Sequence, residues 1–287
     1  MRILLTGRNG QVGWELERKL APLGEVIATD RATLDLADPD QIRRVVREAK
    51  PDVIVNAAAY TAVDKAESEP ELALRINGSA PGVLAEEAKR LGALLVHYST
   101  DYVFDGEKAT PYLEDDPPNP LNVYGKTKLE GERAIQASGC RHLILRTSWV
   151  YGARGKNFLL TILRLAREGK ELRVVDDQLG APTTSGVIAA ATVSLLPGVM
   201  KDAQAQSLYH MSAGGATSWY GFAREILIRT GLGNRVIPIS SRQYSAAARR
   251  PRNSVLDNGL IIERLGIHLA TWMDGLQSAL EELHAAR

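Results

Sequence analysis

The chain has 287 residues, 45% of them hydrophobic and 24% charged, with a net charge of +1. That length fits one large or two intimate domains of an ordinary globular protein. A charge so near zero excludes bulk attraction to nucleic acid or an anionic membrane, so any anion site must be local. Cys140 is the only cysteine, so no internal disulfide forms, and no Cys/His cluster has zinc-ligand spacing. No apolar run approaches the roughly 20 residues of a membrane span, and the N-terminus lacks the apolar region of a signal peptide. The reading is a cytoplasmic protein without nucleic-acid or membrane partners.

Arg2 to Thr6 is a short apolar run ending at Gly7 and reads as a strand. Val12, Leu16, Leu20 and Leu23 share one helical face, which Pro22 and Gly24 bring to an end. Glu25 to Asp30 reads as a second strand. At Asp38-Pro39-Asp40-Gln41 a helix starts: Asp38 caps, Pro39 suits the first position, and Gln41 bonds back to the cap. Ile42, Val45, Val46 and Ala49 then face inward, and Asp52 to Asn56 is a third, buried strand. One long helix is expected from Pro70 to Leu91, closed by Gly92, then a strand from Ala93 to Ser99. A helix from Asn122 to Ala137 and a strand from His142 to Val150 follow. Further helices are expected near 157–168, 185–196, 218–230 and 272–284, and short strands near 172–175, 207–211 and 235–239. Pro197 to Gln206 follows no pattern.

Repeated strand–helix–strand units with apolar strands imply an α/β fold, a Rossmann-type doubly wound parallel sheet covered on both faces. The expected division is an NAD(P)-binding domain over 1–150 and a smaller α/β substrate-binding domain over 151–287. Some segments of the second half should return to the first.

Gly7, Gly10 and Gly13 stand between the first strand and the first helix. Dinucleotide binding needs glycines there for a tight turn, close approach of backbone to pyrophosphate, and close helix–strand packing. The helix start, with Gln11 and Val12, offers free N–H groups to phosphate. Asp30 ends the second strand, where an acid accepts both ribose hydroxyls. Arg8 and Arg31 are placed to meet a 2′-phosphate, so NADH and NADPH both stay open. Ala58, Ala59, Tyr60 and Thr61 follow the third strand, at the sheet edge where such cofactors bind.

Tyr124 and Lys128 form Y-x-x-x-K and share a helix face. An ammonium beside a tyrosine favours tyrosinate and brings its pKa towards working pH. Upstream, Ser99-Thr100-Asp101 lies at a strand end, where a hydroxyl can bond a substrate carbonyl. Alone the Tyr–Lys spacing is weak; with the glycine turn it specifies a site. His97, inside the preceding strand, reads as a core histidine.

The G-x-x-G-x-x-G spacing and the order Thr100, Tyr124, Lys128 resemble the short-chain dehydrogenases. The stretches 53–69, 97–106, 120–128, 146–151, 180–183 and 250–254 resemble, more narrowly, the dTDP-4-dehydrorhamnose reductase family, over nearly the whole chain. The resemblance implies reduction of the 4-keto group of a dTDP-sugar by NADPH or NADH, with Thr100, Tyr124 and Lys128 catalytic. It adds Asp35, Leu36 and Tyr98 to the cofactor set, and Thr100, Asp101 and Trp149 as sugar contacts. Arg250, within Arg249–Arg252, would meet the substrate phosphates, where a guanidinium fork fits. Some members are homodimers bridged by magnesium held by glutamates. Glu15, Glu281 and Glu282 match part of that set, but Gly186 stands where the pattern has an acid, which argues against a metal bridge. Two alternatives stay open: a cofactor-binding regulatory subunit without activity, and an epimerase or dehydratase on another nucleotide sugar.

Overall fold

In the computed structural model, which describes residues 1–202 and 207–285, strands and helices alternate through the first half. The order is β1 (Arg2–Thr6), α1 (Gln11–Leu20), β2 (Glu25–Thr29), α2 (Pro39–Ala49), β3 (Val53–Asn56), α3 (Val63–Ala66), α4 (Pro70–Leu74), α5 (Ala80–Leu91) and β4 (Leu94–Thr100). Then come α6 (Val123–Ser138), β5 (Arg141–Thr147), β6 (Val150–Tyr151), α7 (Phe158–Arg167), β7 (Leu172–Val175), β8 (Leu179–Gly180), β9 (Thr183–Thr184) and α8 (Ser185–Lys201). The chain closes with β10 (Leu208–His210), β11 (Thr217–Ser218), α9 (Trp219–Thr230), β12 (Val236–Ile239), α10 (Ser241–Tyr244), α11 (Gly259–Leu265) and α12 (Trp272–Ala285). Residues 203–206, within the stretch that lacked a pattern, and 286–287, at the end of the expected second domain, lie outside the described residues.

Six strands form one sheet in the order β2-β1-β3-β4-β5-β10, all parallel. Side chains alternate across it as strand geometry requires. Ile3, Leu5, Val53, Val55, Leu94, Val96, Leu143 and Leu145 pack on one face with residues of α1, α8 and α11. Leu4, Ile54, Leu95 and Ile144 pack on the other with residues of α2, α5 and α6. A separate core joins Leu159, Ile162, Leu172, Phe222, Ile226, Leu276 and Leu280, from α7, β7, α9 and α12. Thus α8, β10 and α11, all after residue 150, are part of the large sheet layer.

The sheet order reverses between β1 and β3, and in such sheets the crevice where ligands bind lies outside the strand C-termini at that point. The glycine turn after β1 forms one wall, and the loop 57–61 after β3 forms the other.

Several local expectations need correction. Asp38 does cap α2, accepting from Asp40 N and Gln41 N at 3.0 Å each. The Gln41 side chain, however, accepts from Asp35 N instead of returning to the cap. The stretch from Pro70 to Leu91 is not one regular helix: a π-helical turn at Arg75–Ser79 interrupts it. That turn carries the buried Asn77, which bonds the loop after β3, and π turns recur where a side chain must be re-aimed. The strand expected to run to Val150 ends at Thr147, because Trp149 takes a left-handed backbone, φ 48°. Helix α8 passes the exposed Pro197 and reaches Lys201, since Val199 beyond it is buried in the core. Helices α3 and α10 and the two-residue strands are too short to show a period.

Candidate active site

The glycines of the first turn are required by space as well as conformation. Gly7 has φ 76°, in the left-handed region. A Cβ at Gly13 would lie 2.0 Å from the Gly7 carbonyl oxygen, and one at Gly7 would lie 2.9 Å from Ala58 Cα. Gly10 caps α1 with no side-chain bond, which leaves the first-turn N–H groups and the positive end of the dipole open. The residues present therefore fit a dinucleotide pyrophosphate. Gln11 is tied across the molecule, its side-chain oxygen accepting from Asn157 Nδ2 at 2.8 Å. Val12 packs against the core.

Asp30 accepts from Ala32 N at 3.0 Å, Thr33 N at 3.1 Å and Asn9 Nδ2 at 3.2 Å. The Thr33 bonds, first of all, hold its carboxyl below the ordinary range. Arg8, one of the two candidates for a 2′-phosphate, is paired with Glu17 at 2.5 Å, while Arg31 is exposed. Asp35 accepts from Ala37 N at 3.0 Å, but the Leu36 side chain is buried in the core. In the opposite wall, Ala58 N donates to Thr6 Oγ1 at 3.2 Å. Tyr60 is clasped by Asn77, whose Oδ1 accepts from Tyr60 N at 2.8 Å and whose Nδ2 donates to Tyr60 O at 3.0 Å. The Tyr60 hydroxyl donates to Glu69 at 2.7 Å, Thr61 is exposed, and Ala59 is half-buried. Tyr98 turns its ring away from α6, its hydroxyl bonded to Thr192 at 2.7 Å on α8. Only its backbone carbonyl is left for this site.

Asn122 starts α6 by accepting from Gly125 N at 2.8 Å, and its Nδ2 donates to Arg249 O at 2.7 Å. The helix thus presents Tyr124 and Lys128 on one face, beside the end of β4. Tyr124 meets Tyr102 edge-on, centroids 5.8 Å apart. Desolvation pushes the Tyr124 phenol up to about 12, against the Thr100 hydroxyl, which draws it down. The expected lowering by Lys128 is absent because the lysine points elsewhere. Its ammonium nitrogen donates to Tyr98 O at 2.5 Å and lies 3.0 Å from His97 Nε2. Burial lowers Lys128 to about 8, while Glu132 raises it.

Thr100 Oγ1 donates to Asp101 Oδ1 at 3.0 Å and accepts from Tyr102 N at 3.1 Å. Asp101 is 2% exposed, and its Oδ2 has no hydrogen-bond partner. Burial pushes its carboxyl up to about 7, against the Ser254 and Thr100 hydroxyls. Trp149 stands between Gly180 and Trp219: a Cβ at Gly180 would meet its ring at 2.3 Å. Arg250 is already engaged by a carboxylate, its two terminal nitrogens bonding Asp64 at 3.1 and 2.8 Å.

Glu15 and Glu282 line one cavity of about 260 Å³ with Lys19 and Gly186. Lys19 lies 3.8 Å from Glu15, and burial followed by Glu282 raises the Glu15 carboxyl. Glu281 is exposed and accepts from Gln277 at 2.8 Å.

Sequence reasoning missed Asp64, Asn77, Tyr102 and Trp219, and it undervalued His97. Asn77 carried a signal, a polar residue at an inward position of an apolar helix. The others touch the site only through tertiary contacts.

A family model described as the RmlD substrate binding domain matches residues 1–285. A Burkholderia thailandensis protein named dTDP-4-dehydrorhamnose reductase is 51% identical over 284 residues, 95% of each chain. The chain belongs to the dTDP-4-dehydrorhamnose reductase family. Solved dTDP-4-dehydrorhamnose reductases share its whole fold. That of Clostridium acetobutylicum has a TM-score of 0.94 and 39% identity, covering 99% of this chain and 100% of its own. That of Bacillus anthracis, in complex with NADP, has a TM-score of 0.91 and 35% identity, covering 98% of this chain and 99% of its own. Among the described residues of this dTDP-4-dehydrorhamnose reductase family member, no helix is long and apolar enough to cross a membrane.

Proposed function

We propose that this chain reduces the 4-keto group of dTDP-4-dehydro-L-rhamnose, consuming NADPH or NADH, to give dTDP-L-rhamnose in the last step of that sugar nucleotide's synthesis. The observation that carries the reading is the Thr100 hydroxyl facing Tyr124, with Lys128 one turn along α6, in a chain this similar to the named reductases.

The nicotinamide, when bound, supplies the hydride. The chain's own residues position and transfer a proton. Gly7, Gly10, Gly13 and the first turn of α1 hold the pyrophosphate, and Asp30 meets the adenine ribose. Lys128 is the residue for the nicotinamide ribose, its nitrogen bonded to the Tyr98 carbonyl and beside His97. Tyr124 donates to the carbonyl oxygen and gives its proton as that oxygen gains charge, and Thr100 is the second donor once its hydroxyl turns from Asp101 to the substrate. A phenol at about 12 is protonated at neutral pH, as an acid for a reduction must be. Asp101 and Trp149 contact the sugar. Arg250, held by Asp64, and the exposed Arg249 and Arg252 beside it are the residues for the diphosphate. We place the enzyme in the cytoplasm, as a homodimer, with residues 1–150 the main cofactor domain and 151–287 mainly the substrate domain.

The test is loss of NADPH absorbance with enzymatically made dTDP-4-keto-6-deoxyglucose and its 3,5-epimerase. Stoichiometric oxidation that needs both proteins supports the reading. Tight NADPH binding without oxidation overturns it in favour of a regulatory subunit, and turnover without net oxidation favours an epimerase.

A further inference from the structure

Behind Lys128 lies a buried chain of hydrogen bonds that the reaction as described does not use. Lys128 Nζ is 3.0 Å from His97 Nε2, and His97 Nδ1 is 3.0 Å from Asn56 Nδ2. Asn56 Oδ1 accepts from Thr6 Oγ1 at 2.7 Å, and Thr6 Oγ1 accepts from Ala58 N at 3.2 Å. Thr6, Asn56, His97 and Lys128 are each at most 2% exposed. Solvent therefore cannot repair a mismatched link, and an unpaired buried polar group is costly. The chain crosses three neighbouring strands, from the wall of the cofactor crevice to the lysine of α6.

The order of donors has two solutions. In the first, Ala58 N–H donates to Thr6, Thr6 to Asn56, and the Asn56 amide to His97 Nδ1. The neutral imidazole then carries its hydrogen on Nε2 and donates to Lys128, which must be an uncharged amine. In the second, Lys128 is an ammonium and donates to Nε2. The imidazole hydrogen then sits on Nδ1, the Asn56 amide turns its oxygen to receive it, and its NH2 donates to Thr6, whose own hydroxyl hydrogen gives up its acceptor in this chain. Imidazole can serve both states, since either nitrogen can donate while the other accepts. A leucine could serve neither.

We propose that His97 is a positioning residue for Lys128, keeping the lysine bonded in both of its charge states by changing tautomer, with Asn56 and Thr6 following the change. This rests on the reading of Lys128 as a working residue of the proposed active site. Burial, then the charge of Lys128, holds the His97 imidazole well below its ordinary range, so the ring stays neutral while the lysine titrates. Lys128 bonds the Tyr98 carbonyl and lies beside His97, both on β4, and feels Glu132 on its own helix, with Tyr124 one turn before it. Arg146 holds Glu132 at 2.7 Å, and Asp101 lies beyond Tyr124. None of the others bonds Lys128 through a group that can exchange donor for acceptor.

The direct test needs no substrate: the nitrogen-15 spectrum of the His97 ring in the intact protein, followed as pH rises. The expected result is an Nδ1–H tautomer in the acid range that passes to Nε2–H near pH 8, where Lys128 loses its charge, with no imidazolium in between. In Lys128→Met the transition should vanish. A single tautomer throughout, an imidazolium near neutrality, or a transition that survives in Lys128→Met overturns the proposal, whatever the enzyme's substrate. Kinetics give a second readout. His97→Leu should lose roughly tenfold or more in kcat, the scale of one hydrogen bond to a charged group. His97→Gln, which retains an amide near the Nε2 position, should recover most of it. Equal kcat in the two variants, with both shown folded by thermal melting, overturns the proposal as well.

Discussion

Trp149 and Trp219 stack face to face, with ring centroids 3.6 Å apart and planes 2° from parallel. Trp149, between β5 and β6, sits in the left-handed region, a costly conformation for a bulky residue that its surroundings must hold. Gly180 gives it room on one side, and Trp219, the first residue of α9, supports it on the other. Trp219→Ala removes that support. The sugar-nucleotide KM should then rise about two- to tenfold, the scale of 0.5–1.5 kcal/mol for an aromatic pair, with NADPH affinity unchanged. Steady-state kinetics and a fluorescence titration check both. A parallel loss of NADPH affinity would mean that the pair supports the whole protein and not the sugar site.

Tyr124→Phe keeps the ring against Tyr102 and removes only the acid. Its kcat should fall by about 10²–10⁴, the usual worth of a positioned proton donor, while NADPH still binds as in the parent. Stopped-flow single turnovers would isolate the chemical step, and an unchanged rate would end the assignment.

Asp30→Ala should weaken NADH more than NADPH, because the carboxylate both bonds a ribose diol and repels a 2′-phosphate. The ratio of kcat/KM for the two cofactors is the readout. Asp30 also organises its own turn through Ala32 and Thr33, so Asp30→Asn is the better-folded control. A ratio that does not move in either variant assigns cofactor choice to Arg8 and Arg31.

The pH dependence of stability has a definite sign at Asp101. Burial raises its carboxyl from 3.8 to about 7. Between those values the folded protein holds a proton that the unfolded chain has released. Its contribution is fully present below about pH 4 and is lost as pH rises through about 7. Urea midpoints of Asp101→Asn, measured across that window, should therefore gain on the parent as pH rises. A constant difference would mean that Asp101 is not protonated in the native state.

The Arg146–Glu132 pair joins β5 to α6, with side chains 4% and 2% exposed and bonds of 2.9 and 2.7 Å. Glu132→Gln leaves a buried guanidinium without its counter-charge, which costs about 3–5 kcal/mol when such a pair is broken. Chemical denaturation should show a loss of that order, and an exposed pair such as Arg133–Glu130 should show almost none when Glu130 is changed.

What the sequence by itself determined was everything governed by local rules. The glycine turn, the Asp38 cap, the apolar strands and the Tyr124–Lys128 face follow from backbone freedom, capping and periodicity, each set within a few residues. The parallel sheet covered on both faces was implied by alternation, because parallel strands need covered crossovers, whereas its strand order came from the tertiary structure. Only the tertiary structure decided where side chains found partners far along the chain. Arg250 read as a free phosphate ligand until Asp64, 186 residues away, proved to hold it. His97 read as core until Asn56 and Lys128 met its two nitrogens, and Tyr98 turned to α8 away from the crevice. The reason is common to all three. A buried polar group must be paired, but sequence spacing does not say with whom, because the partner is chosen by how strands and helices stack.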